Sequence, residues 1–144
     1  MTIPARWHDA TPEWFTEVLQ PRFPGCEVDL AELVWTSDGT NRRARFELSY
    51  RLGAGPGVVF VKAEGAHREA HARNGNLLNE PRLLSSGVSL PLDHAEAYAV
   101  LIDEPALDWL VVMEDVTTRG GDPRDSLHPL TVAEAADGAR GLAR

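Results

Sequence analysis

Lysine is the scarcest charged residue in this 144-residue sequence: Lys62 stands alone against thirteen arginines. A codon bias towards arginine replaces lysine wherever a generic cation suffices. The survivor belongs where a compact ammonium must approach a phosphate or carboxylate and a guanidinium cannot substitute. Cysteine is equally scarce. Cys26 is the only one, so an intrachain disulfide is excluded, and beside the Pro24-Gly25 turn it has no nearby partner to make it a nucleophile. No apolar run approaches the roughly 18 residues of a membrane span. The stretch Met1–Asp9 lacks the apolar core of a signal peptide. We therefore expect a reducing, cytoplasmic setting and no membrane contact. Positive charge is in deficit too, with 22 acidic against 14 basic side chains and a net charge of −8. Such a field repels phosphate backbones, so nucleic-acid binding would need a concentrated basic patch. The nearest candidate, Arg42-Arg43-x-Arg45, is short and lacks interleaved aromatics. It reads better as a strand edge or turn, and no nucleic-acid partner is expected.

What is present is ordinary for a globular domain, with 43% hydrophobic and 25% charged residues. Thr11-Pro12-Glu13-Trp14 opens a helix, with Thr11 as cap, Pro12 at the first helical position and Trp14, Phe15, Val18 and Leu19 on one apolar face. Pro21 and Pro24-Gly25 end it. Leu30–Thr36 reads as a strand, Ser37–Asn41 as a polar turn, and Ala44–Tyr50 alternates as a half-buried strand does. After the Gly53–Gly57 turn, Val58–Val61 is a short β-branched strand. From His67 to Ser85 the pattern is helical but interrupted: Gly75 and Pro81 both weaken it, and a break or kink is expected there. Ala97–Ile102 and Leu107–Met113 are strands, and Thr131-Val132-Ala133-Glu134 caps a last helix expected to run to Arg144. Short turns join the first three strands and the last two, which favours antiparallel pairing. Trp7, Trp14 and Trp35 read as packing residues.

Val59-Phe60-Val61-Lys62 has the apolar-x-apolar-Lys form of a strand that fixes a lysine stem so its ammonium can meet phosphates. Any strand followed by lysine matches, so the motif alone also fits a surface lysine ending a strand. Glu80, eighteen positions on in the helical segment, could be aimed back at Lys62 by a helix packed across the sheet. Glu69 is the alternative partner. His67 and His71 could share a helix face, but they lack the H-E-x-x-H order and a third ligand, so no metal site is expected.

Five antiparallel strands with a helix after the third resemble the N-lobe of the protein-kinase fold. The segments Asn79-Glu80-Pro81-Arg82-Leu83-Leu84 with Gly87–Pro91, and Trp109-Leu110-Val111-Val112-Met113-Glu114-Asp115-Val116, resemble the aminoglycoside phosphotransferase and choline/ecdysteroid-kinase-like families. The resemblance implies an α+β fold with residues 1–116 as a nucleotide-binding N-lobe. Within it, residues 1–28 would be an N-terminal helix and linker, and residues 117–144 would be a linker and the start of a C-lobe. It implies ATP as cofactor. Lys62 would meet the α- and β-phosphates, Glu80 would orient Lys62, and Met113 would back the pocket. The Glu114 carbonyl and Val116 amide would bind adenine. Gly39, Thr40 and Asn41 would cover the phosphates in the first hairpin turn, with Arg42 or Arg43 assisting. A plain hairpin turn fits that stretch equally on local sequence.

The families' His-Gly-Asp catalytic loop and magnesium-holding aspartate are not in this sequence. Without a base and metal ligands, Lys62 and the hinge can hold ATP but cannot position an acceptor hydroxyl. The expected activity therefore belongs to a full-length kinase that transfers the ATP γ-phosphate to a small-molecule hydroxyl. Mg2+ would be held mainly by the missing lobe. The alternative is a truncated, non-catalytic module that binds nucleotide or docks onto a partner, where an exposed lobe-facing surface would favour a homodimer. An unrelated α+β binding domain would instead leave Lys62 and Glu80 far apart.

Overall fold

Alternating side chains give a sheet one buried face, and the computed structural model, which describes residues 1–124 and 127–143, packs such a sheet against a helix. Among the described residues five strands pair antiparallel throughout: β1 (Glu27–Asp38), β2 (Asn41–Leu52), β3 (Val58–Glu64), β4 (Ala97–Asp103) and β5 (Asp108–Glu114). Their order in the sheet is β1-β2-β3-β5-β4. Four α-helices accompany them among those residues: α1 (Pro12–Leu19), α2 (Arg68–Arg73), α3 (Asn79–Ser85) and α4 (Val132–Leu142). The fold is α+β.

Strand β3 shows how the layers separate. Val59, Val61 and Ala63 are fully buried in a core shared with α1, whereas Phe60, Lys62 and Glu64 project from the opposite face. Strand β5 splits likewise. Leu110 and Val112 join the α1 core, and Trp109 and Val111 pack with Leu77, Leu78 and Leu84 beneath the α2–α3 segment. Helix α1 forms as its sequence dictates. The Thr11 hydroxyl accepts from the Trp14 N–H at 3.3 Å, Pro12 occupies the first turn, and Phe15, Val18 and Leu19 are buried. The Phe15 ring meets Phe46 of β2 edge-on with centroids 4.9 Å apart, which seats α1 on the sheet.

Several boundaries differ from the sequence reading. β1 and β2 are both longer than expected, because the ladder continues to the Asp38–Arg42 pair and leaves Gly39-Thr40 as the hairpin turn. Asn41 is therefore the first residue of β2. The helical stretch breaks at Gly75, whose φ of +70° suits glycine. Pro81 causes no kink, because it falls in the first turn of α3, where a missing N–H breaks no intrahelical bond. β5 begins at Asp108, since Leu107 closes the preceding turn with φ of +52°. Helix α4 is described to Leu142, and Arg144 lies outside the described residues. Among the described residues no helix is long and apolar enough to cross a membrane.

Trp35 is the clearest correction. Trp7 and Trp14 pack against the α1 core as expected, but Trp35 is 43% exposed. A register shift between Leu33 and Trp35 inserts an extra residue, so Leu33 pairs with core-facing Phe46 while Trp35 pairs with Arg45. One extra residue moves every following side chain to the other face of the sheet. Trp35 thus stands over the open side, next to Phe60, with ring centroids 6.2 Å apart.

Candidate functional site

The face carrying Phe60 and Lys62 opens into a cleft with two adjoining halves of about 480 and 400 Å³. Each volume falls in the roughly 300–1,000 Å³ range of small-molecule sites. Arg43, Phe60 and Met113 line both halves. The first hairpin contributes Thr40 and Asn41 to the lining of the cleft, and the end of β5 contributes Met113 and Glu114.

In the inner half, the Lys62 Nζ donates to Glu80 Oε2 at 2.5 Å. The two side chains are 23% and 41% exposed, so the pair is reachable from solvent. Strand β3 fixes the lysine stem and α3 presents the glutamate from across the β5 surface. Glu69, the alternative partner, is exposed on α2, and Glu80 is the residue the fold brings to Lys62. Thr40 and Asn41 line this half, while Gly39 lies at the hairpin tip, outside the lining of either half.

The adjacent arginines separate by strand alternation. Arg42 faces away from the cleft: its Nε donates to the Glu64 carbonyl at 3.0 Å, and its terminal nitrogens donate to Ala5 and Pro4 carbonyls at 2.9 and 3.2 Å. Its guanidinium also lies 4.9 Å from the Trp7 ring centroid. Arg42 therefore ties down the N-terminal segment and is not available to a ligand in the cleft. Arg43 is paired in register with Lys62 and lines both halves of the cleft. It has no carboxylate partner among the described residues, and its buried Nε lacks a hydrogen bond there.

The outer half is walled by Trp35 and Phe60 on one side and by Met113, Glu114, Asp115 and Val116 on the other. The Glu114 N–H donates to the Glu96 carbonyl at 2.8 Å, and its carboxylate accepts from Arg119 Nε at 2.7 Å. Asp115 is 4% exposed, is ion-paired with Arg45 and accepts from the Thr117 N–H and hydroxyl at 3.0 and 2.6 Å. These contacts fix the chain as it leaves β5 into a 3-10 turn at Val116–Arg119. The Val116 N–H opens that turn and has no hydrogen-bond partner among the described residues.

Elsewhere the chemistry is closed off. Cys26 is fully buried, and desolvation holds its thiol above the ordinary range, which disfavours a thiolate. His71 Nδ1 is committed to Glu64 at 3.0 Å. Among the described residues no group of three or more His, Cys, Asp or Glu side chains is placed to hold a metal ion.

Trp35, Phe60, Arg45 and Asp115 are cleft residues to which the sequence reading gave no site role. Phe60 was legible, since it lies two residues before Lys62 on the same strand face. Trp35 was hidden by the bulge, and the Arg45–Asp115 pair spans seventy positions. Comparisons of this chain with protein-family models, with characterised proteins and with solved structures found no match.

Proposed function

We propose that this chain is the ATP-binding lobe of a small-molecule phosphotransferase, similar to the aminoglycoside phosphotransferase and choline/ecdysteroid-kinase-like families. The observation that carries the reading is the Lys62–Glu80 pair at 2.5 Å, set in a cleft between a tight hairpin turn and the strand exit at Met113–Val116. A lone carboxylate beside an ammonium holds it at one position without saturating its three donors. Lys62 then meets the α- and β-phosphates, with Arg43 supplying a second cation from the neighbouring strand. The unpartnered Val116 N–H and the Glu114 carbonyl bind the adenine edge, and the apolar walls at Trp35, Phe60 and Met113 take its faces.

The described cleft residues fit a nucleotide but offer no cluster of magnesium ligands. They also include no acid–base side chain free to activate an acceptor hydroxyl. Within this chain the site binds and orients. The transfer of the γ-phosphate, the magnesium and the acceptor belong to the remainder of a kinase in this reading.

A thermal-shift titration with Mg·ATP tests it. A ligand that binds only the folded state at a hundredfold above its dissociation constant stabilises by about 2.7 kcal/mol. We expect a saturable rise in Tm that Lys62→Ala weakens, whereas adenosine, which lacks phosphates, should stabilise both proteins equally. Absence of a saturable shift with the native chain would refute nucleotide binding by this lobe.

A further inference from the structure

Lys62 does not rest on Glu80 alone. Its ammonium lies over the Trp109 indole, 5.8 Å from the ring centroid. Trp109 is 2% exposed and its Nε1–H donates to Glu64 Oε2 at 2.9 Å. Glu64 follows Lys62 by two positions, on the same face of β3, and is only 1% exposed. Its other oxygen accepts from the Gly65 N–H at 2.9 Å and from His71 Nδ1–H at 3.0 Å. His71 belongs to α2, which leads through Gly75 into α3 and Glu80.

A buried carboxylate is costly unless its lone pairs are occupied, and here three donors, from the following residue, from α2 and from β5, converge on it. An apolar residue at position 64 would avoid that cost. It would also strand the Trp109 N–H in the interior and release α2 from the sheet. The carboxylate thus contacts Trp109 and His71 at once.

We propose that Glu64 is a positioning residue that registers both halves of the Lys62–Glu80 pair. Through Trp109 it holds the aromatic surface beneath the lysine. By accepting the indole N–H it polarises the ring and strengthens the attraction of its face for the cation. Through His71 it anchors the helical segment that carries Glu80. The consequence for phosphate binding rests on the nucleotide reading above, but the placement of Lys62 itself does not.

The single lysine makes this testable directly. A chain labelled with ¹³C,¹⁵N-lysine shows one lysine spin system in NMR, so its single Cε–Hε signal is that of Lys62. Without ligand, the native signal should be displaced upfield by the Trp109 ring. Glu64→Gln and His71→Phe, each confirmed as folded by circular dichroism, should move it towards the position of a solvated lysine. Trp109→Phe keeps a ring but loses the donor, and should move it less than Glu64→Gln. The Mg·ATP affinity read from the same signal should fall roughly fivefold in Glu64→Gln. If Glu64→Gln does not fold, His71→Phe decides alone. A ligand-free Lys62 signal unchanged from native in the folded variants would overturn the proposal. If the native chain ignores Mg·ATP while the variants still shift the ligand-free signal, the nucleotide reading falls and the positioning role stands.

Discussion

Replacing Asp115 by asparagine removes one charge from the ion pair at the exit of β5 while preserving side-chain size. Breaking a buried pair costs about 3–5 kcal/mol when an uncompensated charge is left in the interior. Asp115 is 4% exposed, but the cation left behind is Arg45, whose side chain is 37% exposed. Water reaches that guanidinium and screens it, so the full penalty does not apply. The amide can still accept from Thr117 through its oxygen, which limits the loss to the pair itself. We expect Asp115→Asn to destabilise the fold by about 2 kcal/mol. With a urea m-value of about 2 kcal/mol/M, the unfolding midpoint should fall by about 1 M. Arg45→Met made in the Asp115→Asn background should then cost much less than in the native chain, because the charge it removes is already orphaned. Equal midpoints for native and Asp115→Asn, within about 0.2 M, would refute the argument and show the pair to be fully screened.

Three further outcomes follow from packing and burial. In Gly65→Ala an added Cβ would lie 2.7 Å from the Thr40 carbonyl oxygen, a backbone atom of the hairpin turn. Urea titration should show a loss of about 1–3 kcal/mol, with weaker Mg·ATP binding because Thr40 lines the inner cleft. Phe15→Ala empties a fully buried site against Phe46 and should cost about 3–5 kcal/mol in the same assay. Burial, with smaller contributions from Cys26 and Tyr98, pushes the Tyr50 phenol up to about 12, and burial also raises Tyr98. Unfolded tyrosine ionises near pH 10, so the contribution of Tyr50 to stability is intact below that pH and is lost as pH rises towards about 12. Absorbance titration of the native chain should show tyrosinate appearing late, and Tyr50→Phe should flatten the stability loss in that window. Ionisation of both tyrosines near pH 10 in the folded chain would contradict this.

The elements legible in the sequence were those set by local chemistry. Thr11-Pro12 marks the start of α1, the β-branched run before Lys62 marks β3, and Gly75 marks the break between α2 and α3. The Lys62–Glu80 juxtaposition was legible as one of two options. Choosing between Glu80 and Glu69 required the geometry of the α2–α3 break, which no periodicity encodes. The misplacement of Trp35 has a specific cause. Alternation assigns a face only while the register holds, and the bulge before Trp35 resets it. Glu64 was invisible for another reason: its partners Gly65, His71 and Trp109 are up to forty-five residues away, and nothing local marks a glutamate as buried.

Strand alternation also settles what the Arg42-Arg43-x-Arg45 cluster can be. Adjacent arginines on a strand cannot share a face, so Arg42 goes to the back of the sheet and binds the carbonyls of Pro4, Ala5 and Glu64. Arg43 and Arg45 reach the cleft, where Asp115 neutralises Arg45 and Glu80 neutralises Lys62. Arg43 is left as the cleft cation with no carboxylate partner among the described residues. The chain as a whole carries a net charge of −8, so its outer surface repels anions while this recess keeps a local positive excess. Low-dielectric walls of the kind Trp35, Phe60 and Met113 supply concentrate such a field at the opening. An isolated positive recess in an acidic molecule selects a compact anion that fits inside it over an extended polyanion lying across the surface. The phosphates of the nucleotide proposed above would be a compact anion of that kind.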